Sequence, residues 1–155
     1  MRMKNFVVYS FIIFAAFLGG QALAQDIMIM NAIAAPSPMA TSKTGAVYMS
    51  IMNTGKQNDI LISVSTPVAT SAMLHESKDE NGVMKMEMLD QLEIPAGQTI
   101  DILPGQMHIM LAGLKAPFKI GDHVVLELIF KKSGKMSVEA IVSKTDGMAN
   151  MKHKN

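Results

Sequence analysis

Short segments rich in Ile, Val and Thr recur along most of this chain, and they restrict its fold more than any other feature. The segment HVVLELIF (123–130) alternates cleanly, which places four apolar side chains on one face: Val124, Leu126, Leu128 and Phe130. Turn signals separate the segments, at NTG (53–55), DENG (79–82), PAG (95–97), LPG (103–105) and KSG (132–134). Many short strands without a long 3.6-residue periodicity predict an all-β chain, folded as an antiparallel sandwich or barrel.

The pattern predicts ten strands within a single β-domain over residues 25–143. We expect them at about residues 27–34, 45–53, 59–65, 71–77, 83–88, 91–94, 99–103, 108–111, 123–130 and 135–142. Residues 144–155 have no apolar periodicity, and we expect a mobile tail there.

The first 24 residues have the three parts of a secretory signal peptide. Arg2 and Lys4 supply positive charge, an apolar run follows, and Ala22 and Ala24 form an A-x-A cleavage site. The apolar run is shorter than the ~20 residues that span a bilayer as a helix. We therefore expect export, cleavage after Ala24, and no membrane insertion afterwards.

Charge and cysteine content exclude several classes of function. Without residues 1–24, the chain keeps twelve lysines, thirteen acidic residues and no arginine, so it lacks the basic face and guanidinium groups typical of nucleic-acid binding. The absence of cysteine excludes disulfides, thiol chemistry, a lipid-modified cysteine and a thiolate-ligated blue-copper site.

Methionine and histidine are concentrated in the segment MLHESKDENGVMKMEM (73–88), which predicts a β-hairpin around Asn81-Gly82. A two-residue turn would place His75 opposite Met88, whereas a four-residue loop would place it opposite Met86. In either register, side chains alternate, so His75, Met84, Met86 and Met88 project from the same face.

A second segment, QMHIM (106–110), follows the same rule. His108 and Met110 are two residues apart and share one face of a strand, while Met107 and Ile109 point the other way. Two imidazoles and two thioethers would form a ligand set for a soft metal ion. Methionine is also a flexible core residue, and composition alone leaves both interpretations open.

The spacing His75, Met86, His108, Met110 follows the pattern H-x10-M-x21-H-x-M, which resembles the signature of the PCu(A)C family of periplasmic copper chaperones. The similarity covers nearly the whole β-domain. Its other elements are AVYMSIMNTG (46–55), the LHE of the first histidine, GVMKM, IPAG (94–97), PG-x-x-H-x-M (104–110) and GLKAPFKIGDHVVLELIF (113–130). Gln106-Met107 departs from the small residues typical of the family before the second histidine, which could alter access to the site.

The resemblance implies a cupredoxin-like Greek-key β-barrel or sandwich that binds Cu(I) through His75, Met86, His108 and Met110. It also implies a periplasmic chaperone, not an enzyme, that delivers copper to cytochrome c oxidase or its assembly factors. We expect a monomer, although the sequence leaves the oligomeric state open. Members often carry a His/Met-rich tail, so Met148, Met151 and His153 are candidates for a second site that would take Cu(II). The alternative is a metal-free exported β-sandwich, a binding or adhesion module whose methionines only fill the core.

Catalytic signatures are missing from the sequence: it has no G-x-S-x-G, HExxH or G-x-G-x-x-G motif. His123 begins a predicted strand, and we expect it to be a surface residue.

Overall fold

The computed structural model describes residues 26–146 and 148, and this part of the chain is all-β. The ten strands are β1 (Ile27–Ala34), β2 (Thr44–Asn53), β3 (Asp59–Ser65), β4 (Ser71–Glu80), β5 (Val83–Leu89), β6 (Leu92–Ile94), β7 (Thr99–Ile102), β8 (Met107–Ala112), β9 (His123–Phe130) and β10 (Gly134–Val142). All ten strands lie where the sequence predicts them, with ends that differ by up to three residues. The described residues include no helix long and apolar enough to cross a membrane.

The strands form one continuous sheet in the order β5-β4-β8-β2-β1-β10-β9-β3-β6, and β7 pairs with β2 outside this path. One edge of β2 pairs with two strands in turn: Thr44–Val47 pairs with β8, and Met49–Met52 pairs with β7. The β1–β10 pair is parallel, while the other strand pairs of the described residues are antiparallel. The sheet thus brings β4 beside β8, although more than 25 residues separate them in sequence.

The hydrophobic core lies against one face of these strands. Alternation in β9 buries the four residues predicted from the sequence, Val124, Leu126, Leu128 and Phe130. In β2 the odd-numbered residues Val47, Met49 and Ile51 are fully buried, so the even-numbered residues lie on the outer face.

A buried carboxylate links the start of β3 to the turn between β9 and β10. Asp59 accepts hydrogen bonds from the backbone N–H groups of Ile60 (2.8 Å), Lys132 (2.9 Å) and Ser133 (2.9 Å). Burial alone would raise the pKa of Asp59, but the hydrogen bonds from Ser133, Lys132 and Ile60 outweigh it and hold this pKa below its usual value.

Strands β4 and β8 each turn one face to the core and the other outward. Leu74 of β4 and Ile109 of β8 are buried in the core. Because side chains alternate along a strand, His75 and His108 project from the opposite, outer face. The candidate site therefore lies outside the hydrophobic core.

Candidate metal centre

The β4–β5 hairpin has a two-residue turn, the first of the two registers that the sequence allows. Glu80 pairs with Val83, which leaves Asn81 and Gly82 as the turn, with φ of 58° and 81°. Positive φ at both positions is what a type I′ turn requires. The Asp79 carboxylate also accepts a hydrogen bond of 2.7 Å from the Gly82 N–H.

This register fixes the positions of the hairpin methionines. Met88 lies opposite His75, and Met86 lies opposite Ser77, two residues further towards the turn. His75, Met86 and Met88 consequently share the outer face, as the sequence predicts. Charged residues occupy the other face, where the Lys78 ammonium lies 2.7 Å from the Glu87 carboxylate.

The two histidines meet across β4 and β8. His75 pairs directly with His108, and Met73 pairs with Met110. The two imidazole rings are nearly perpendicular, with an interplanar angle of 81° and centroids 5.5 Å apart. Strand pairing alone therefore places two nitrogen donors and the Met110 thioether on neighbouring positions of one face.

A cavity of about 320 Å³ opens beside His108 and Met110, and His75 is not among its lining residues. Its lining includes Met86, His108 and Met110 together with two segments outside the ligand set predicted from the sequence, Ala35–Pro38 and Thr44–Ala46. Met86 thus reaches the same cavity as the β8 ligand candidates, although it lies on the far strand of the hairpin.

His75 carries a buried polar atom without a partner. Its Nδ1 is out of contact with solvent and makes no hydrogen bond, the one side-chain nitrogen or oxygen of this kind among the described residues. Such a group costs about 1–3 kcal/mol of stability. A nitrogen lone pair that is kept from both water and protein donors is available to a metal ion.

The environment of His108 favours its neutral form. Burial in the sheet, and secondarily the charge of His75, lower the pKa of His108 below its usual value. Only the neutral imidazole can donate a lone pair to a metal. Both effects therefore prepare His108 for metal binding near neutral pH.

The methionines of β5 are not core residues. Met84, Met86 and Met88 are 59%, 69% and 60% exposed, whereas Met49 in β2 is fully buried. Met49 has the packing role that methionine often takes, but the β5 thioethers point into solvent. On this strand the packing interpretation of the methionine pattern does not apply.

The other candidates are a buried methionine, two residues outside the described part of the chain, and an exposed histidine. Met148 is 1% exposed and therefore packs against the domain, whereas Met151 and His153 fall outside the described residues, as does the predicted signal peptide. The second, tail-borne site stays a prediction. His123 is exposed, as predicted, and its Nδ1 lies 2.7 Å from a Glu139 carboxylate oxygen.

Comparison with known proteins identifies the family. Residues 27–142 match the family described as "Putative lipoprotein LpqE-like". The chain belongs to the LpqE-like family. A relative in Leifsonia xyli subsp. xyli, "Putative lipoprotein Lxx21020", is 36% identical over 116 residues, which make up 74% of this chain and 69% of the relative.

Solved structures similar to this LpqE-like protein include two that contain copper. The solution structure of CuI-DR1885 from Deinococcus radiodurans is 31% identical, with a TM-score of 0.60 over 84% of this chain and 88% of that one. The copper-bound PCuAC domain from PmoF2 is 21% identical, with a TM-score of 0.65 over 76% and 92% of the two chains. The predicted relationship to PCu(A)C proteins and the predicted cupredoxin-like β-sandwich are confirmed.

Proposed function

We propose that this LpqE-like protein is a copper chaperone that binds Cu(I) through His75, Met86, His108 and Met110. The observation that carries the proposal is the buried, unpartnered Nδ1 of His75 beside the His108 ring. A structural histidine would normally satisfy such an atom with a hydrogen bond. A ligand for a metal leaves it free until the ion arrives.

The chemistry of the four side chains suits Cu(I). Thioethers are soft, uncharged donors, and Cu(I) is a soft ion that accepts sulfur and imidazole ligands. A thioether loses no proton on binding and forms no disulfide, which suits an oxidising compartment. It can be oxidised to the sulfoxide, and this would remove the donor.

Release is as important to a carrier as binding. Met86 is 69% exposed and lines the cavity, so a ligand from another protein can replace it without disturbing the core. Neutral ligands hold Cu(I) less tightly than thiolates do. The arrangement therefore supports a protein that transfers copper and does not retain it.

The location and the recipient are part of the same proposal. The three-part pattern of residues 1–24 and the lipoprotein relative support an exported, periplasmic protein. The recipient would be a copper enzyme such as cytochrome c oxidase, or an assembly factor for it. We assign no catalytic role, because a soft two-histidine, two-methionine set does not favour the Cu(II) state that a copper oxidase needs.

An anaerobic Cu(I) titration against a chromogenic Cu(I) chelator tests the proposal. We expect the protein to remove one tightly bound equivalent from the chelator. His75→Ala, Met86→Ala and Met110→Ala should each weaken this binding by about tenfold or more while the fold, followed by circular dichroism, is retained. The matched control is His123→Ala, which removes an exposed histidine away from the cavity.

Two results would contradict the proposal. A protein that retains no stoichiometric Cu(I) after desalting would favour the metal-free binding module. Variants of His75, Met86 and Met110 that bind as tightly as the parent would show that copper is held elsewhere.

A further inference from the structure

The first half of β1 separates its isoleucines from its methionines. The segment Ile27-Met28-Ile29-Met30 alternates, and Ile27 is buried in the core whereas Met28 is 50% exposed. Ile29 is partly buried and packs against the core. The thioethers of Met28 and Met30 therefore lie on the outer face, where they contribute little to core packing.

Strand β2 brings a third thioether to the same place. Met52 pairs directly with Met28, and Met30 pairs with Ser50, so Met30 and Met52 are diagonal neighbours. Directly opposed Cβ atoms lie about 4.5–5.5 Å apart, and diagonal pairs about 7–8 Å. A methionine side chain has three rotatable bonds and can close these gaps, so three sulfur atoms can reach one ion.

The polar side of this patch carries negative charge. Strand β7 places Thr99 opposite Met52 and Asp101 opposite Ser50. The Asp101 carboxylate accepts a hydrogen bond of 2.6 Å from the Ser50 hydroxyl. A carboxylate at the rim attracts a cation and opposes the approach of an anion.

We propose that Met28, Met30 and Met52 form a second, weaker Cu(I) site, built from thioethers alone. Three neutral sulfur donors suit a soft monovalent ion and offer nothing to Mg²⁺ or Ca²⁺, which take oxygen ligands. The site lies on the same outer face as the His75–His108 cluster, but Met52 is six residues along β2 from Ala46 of that cavity. That separation amounts to roughly 20 Å of strand, too far for the two sites to share one ion.

Removal of all three thioethers tests this site. In an anaerobic Cu(I) titration the parent should take up roughly two equivalents, one tight and one weaker. The combined variant Met28→Leu, Met30→Leu, Met52→Leu keeps the apolar volume nearly unchanged and should take up roughly one, with the tight equivalent unaffected. Met39→Leu, which removes an exposed methionine in the loop between β1 and β2, is the matched control.

Methionine methyl NMR of the parent gives a second readout. The second equivalent of Cu(I) should shift the Met28, Met30 and Met52 methyl signals and leave that of Met39 in place. The double variant His75→Ala, His108→Ala should lose the tight equivalent and keep the weaker one. Failure of the chaperone proposal and failure of this site would thus be seen separately.

Three outcomes would overturn this second site. One is a parent that binds a single equivalent, and another is a second equivalent that survives the triple leucine variant. The third is a weaker equivalent that disappears in Met84→Leu, Met88→Leu, because it would belong to the exposed face of β5.

Discussion

Met88 lies directly opposite His75 in the β4–β5 ladder, whereas Met86 lies opposite Ser77. Strand pairing therefore places the Met88 thioether nearest to His75. The cavity, in contrast, is lined by Met86 together with His108 and Met110.

Since Met86 lines the same cavity as His108 and Met110, we predict that Met86, and not Met88, is the second thioether ligand. Met86→Leu should weaken Cu(I) binding by about tenfold or more, while Met88→Leu should leave it nearly unchanged. Competition with a chromogenic chelator measures both. Met84→Leu, two residues further along the same exposed face, is the control. A larger loss in Met88→Leu than in Met86→Leu would assign the ligand role to the residue opposite His75.

Replacement of His75 by an apolar residue should stabilise the metal-free protein. The buried Nδ1 without a hydrogen bond destabilises the metal-free protein. His75→Leu should therefore raise the free energy of unfolding by about 1 kcal/mol, as measured by urea denaturation. The same variant should lose the stabilisation that Cu(I) gives to the parent in thermal unfolding. His123→Leu, at an exposed histidine, should show neither effect. A marked loss of apo stability in His75→Leu would indicate a structural role for the imidazole.

Asp59 should make folding sensitive to acid. Its pKa is lower in the folded protein than in the unfolded chain, so its contribution is fully present above the unfolded pKa of about 3.9 and is lost as the pH falls through the folded value. Asp59→Asn should destabilise the protein at neutral pH and flatten the decline of stability below about pH 4. Urea midpoints measured over this range test the prediction, with the exposed Asp90→Asn as control. If the stability of Asp59→Asn declines with falling pH as steeply as that of the parent, other carboxylates cause the decline.

Gly113 follows β8 and should resist substitution more than a glycine of similar backbone conformation. Gly113 and Gly97 have φ of 70° and 72°, but a Cβ on Gly113 would lie 2.8 Å from the Thr70 Cβ, whereas one on Gly97 would meet nothing within 4 Å. Alanine is strained by a positive φ in both variants, so the difference in their stability measures the cost of the contact between the new Cβ and Thr70. We expect Gly113→Ala to be less stable than Gly97→Ala by about 1 kcal/mol or more in urea denaturation. Equal losses would show that Thr70 moves aside at little cost.

The local features of this fold could be predicted from the sequence. Alternation in HVVLELIF fixed the buried face of β9, and Asn81-Gly82 predicted the hairpin whose turn the structure shows. The shared face of His75 and the β5 methionines follows from the two-residue period of a strand, whichever register is chosen. These features depend on neighbours in the chain, and so the sequence is sufficient for them.

The long-range features could not be predicted in the same way. Nothing in the segment around His108 indicates that β8 pairs with β4, or that the two histidines lie opposite each other. The Ala35–Pro38 wall of the cavity depends on how β1 and β2 pack, and its prolines indicate only a loop. Methionine itself is ambiguous, since Met49 is buried and Met86 is exposed. Burial depends on which face of the sheet the core occupies.

The cluster around His75 and His108 stands on the side of the sheet that faces away from the hydrophobic interior. A cargo ion can arrive and depart by rotation of side chains alone, while the ladder beneath them stays intact. For the proposed carrier, exchange of copper thus requires no unfolding of the domain, and its speed would be set by the ligands of donor and acceptor.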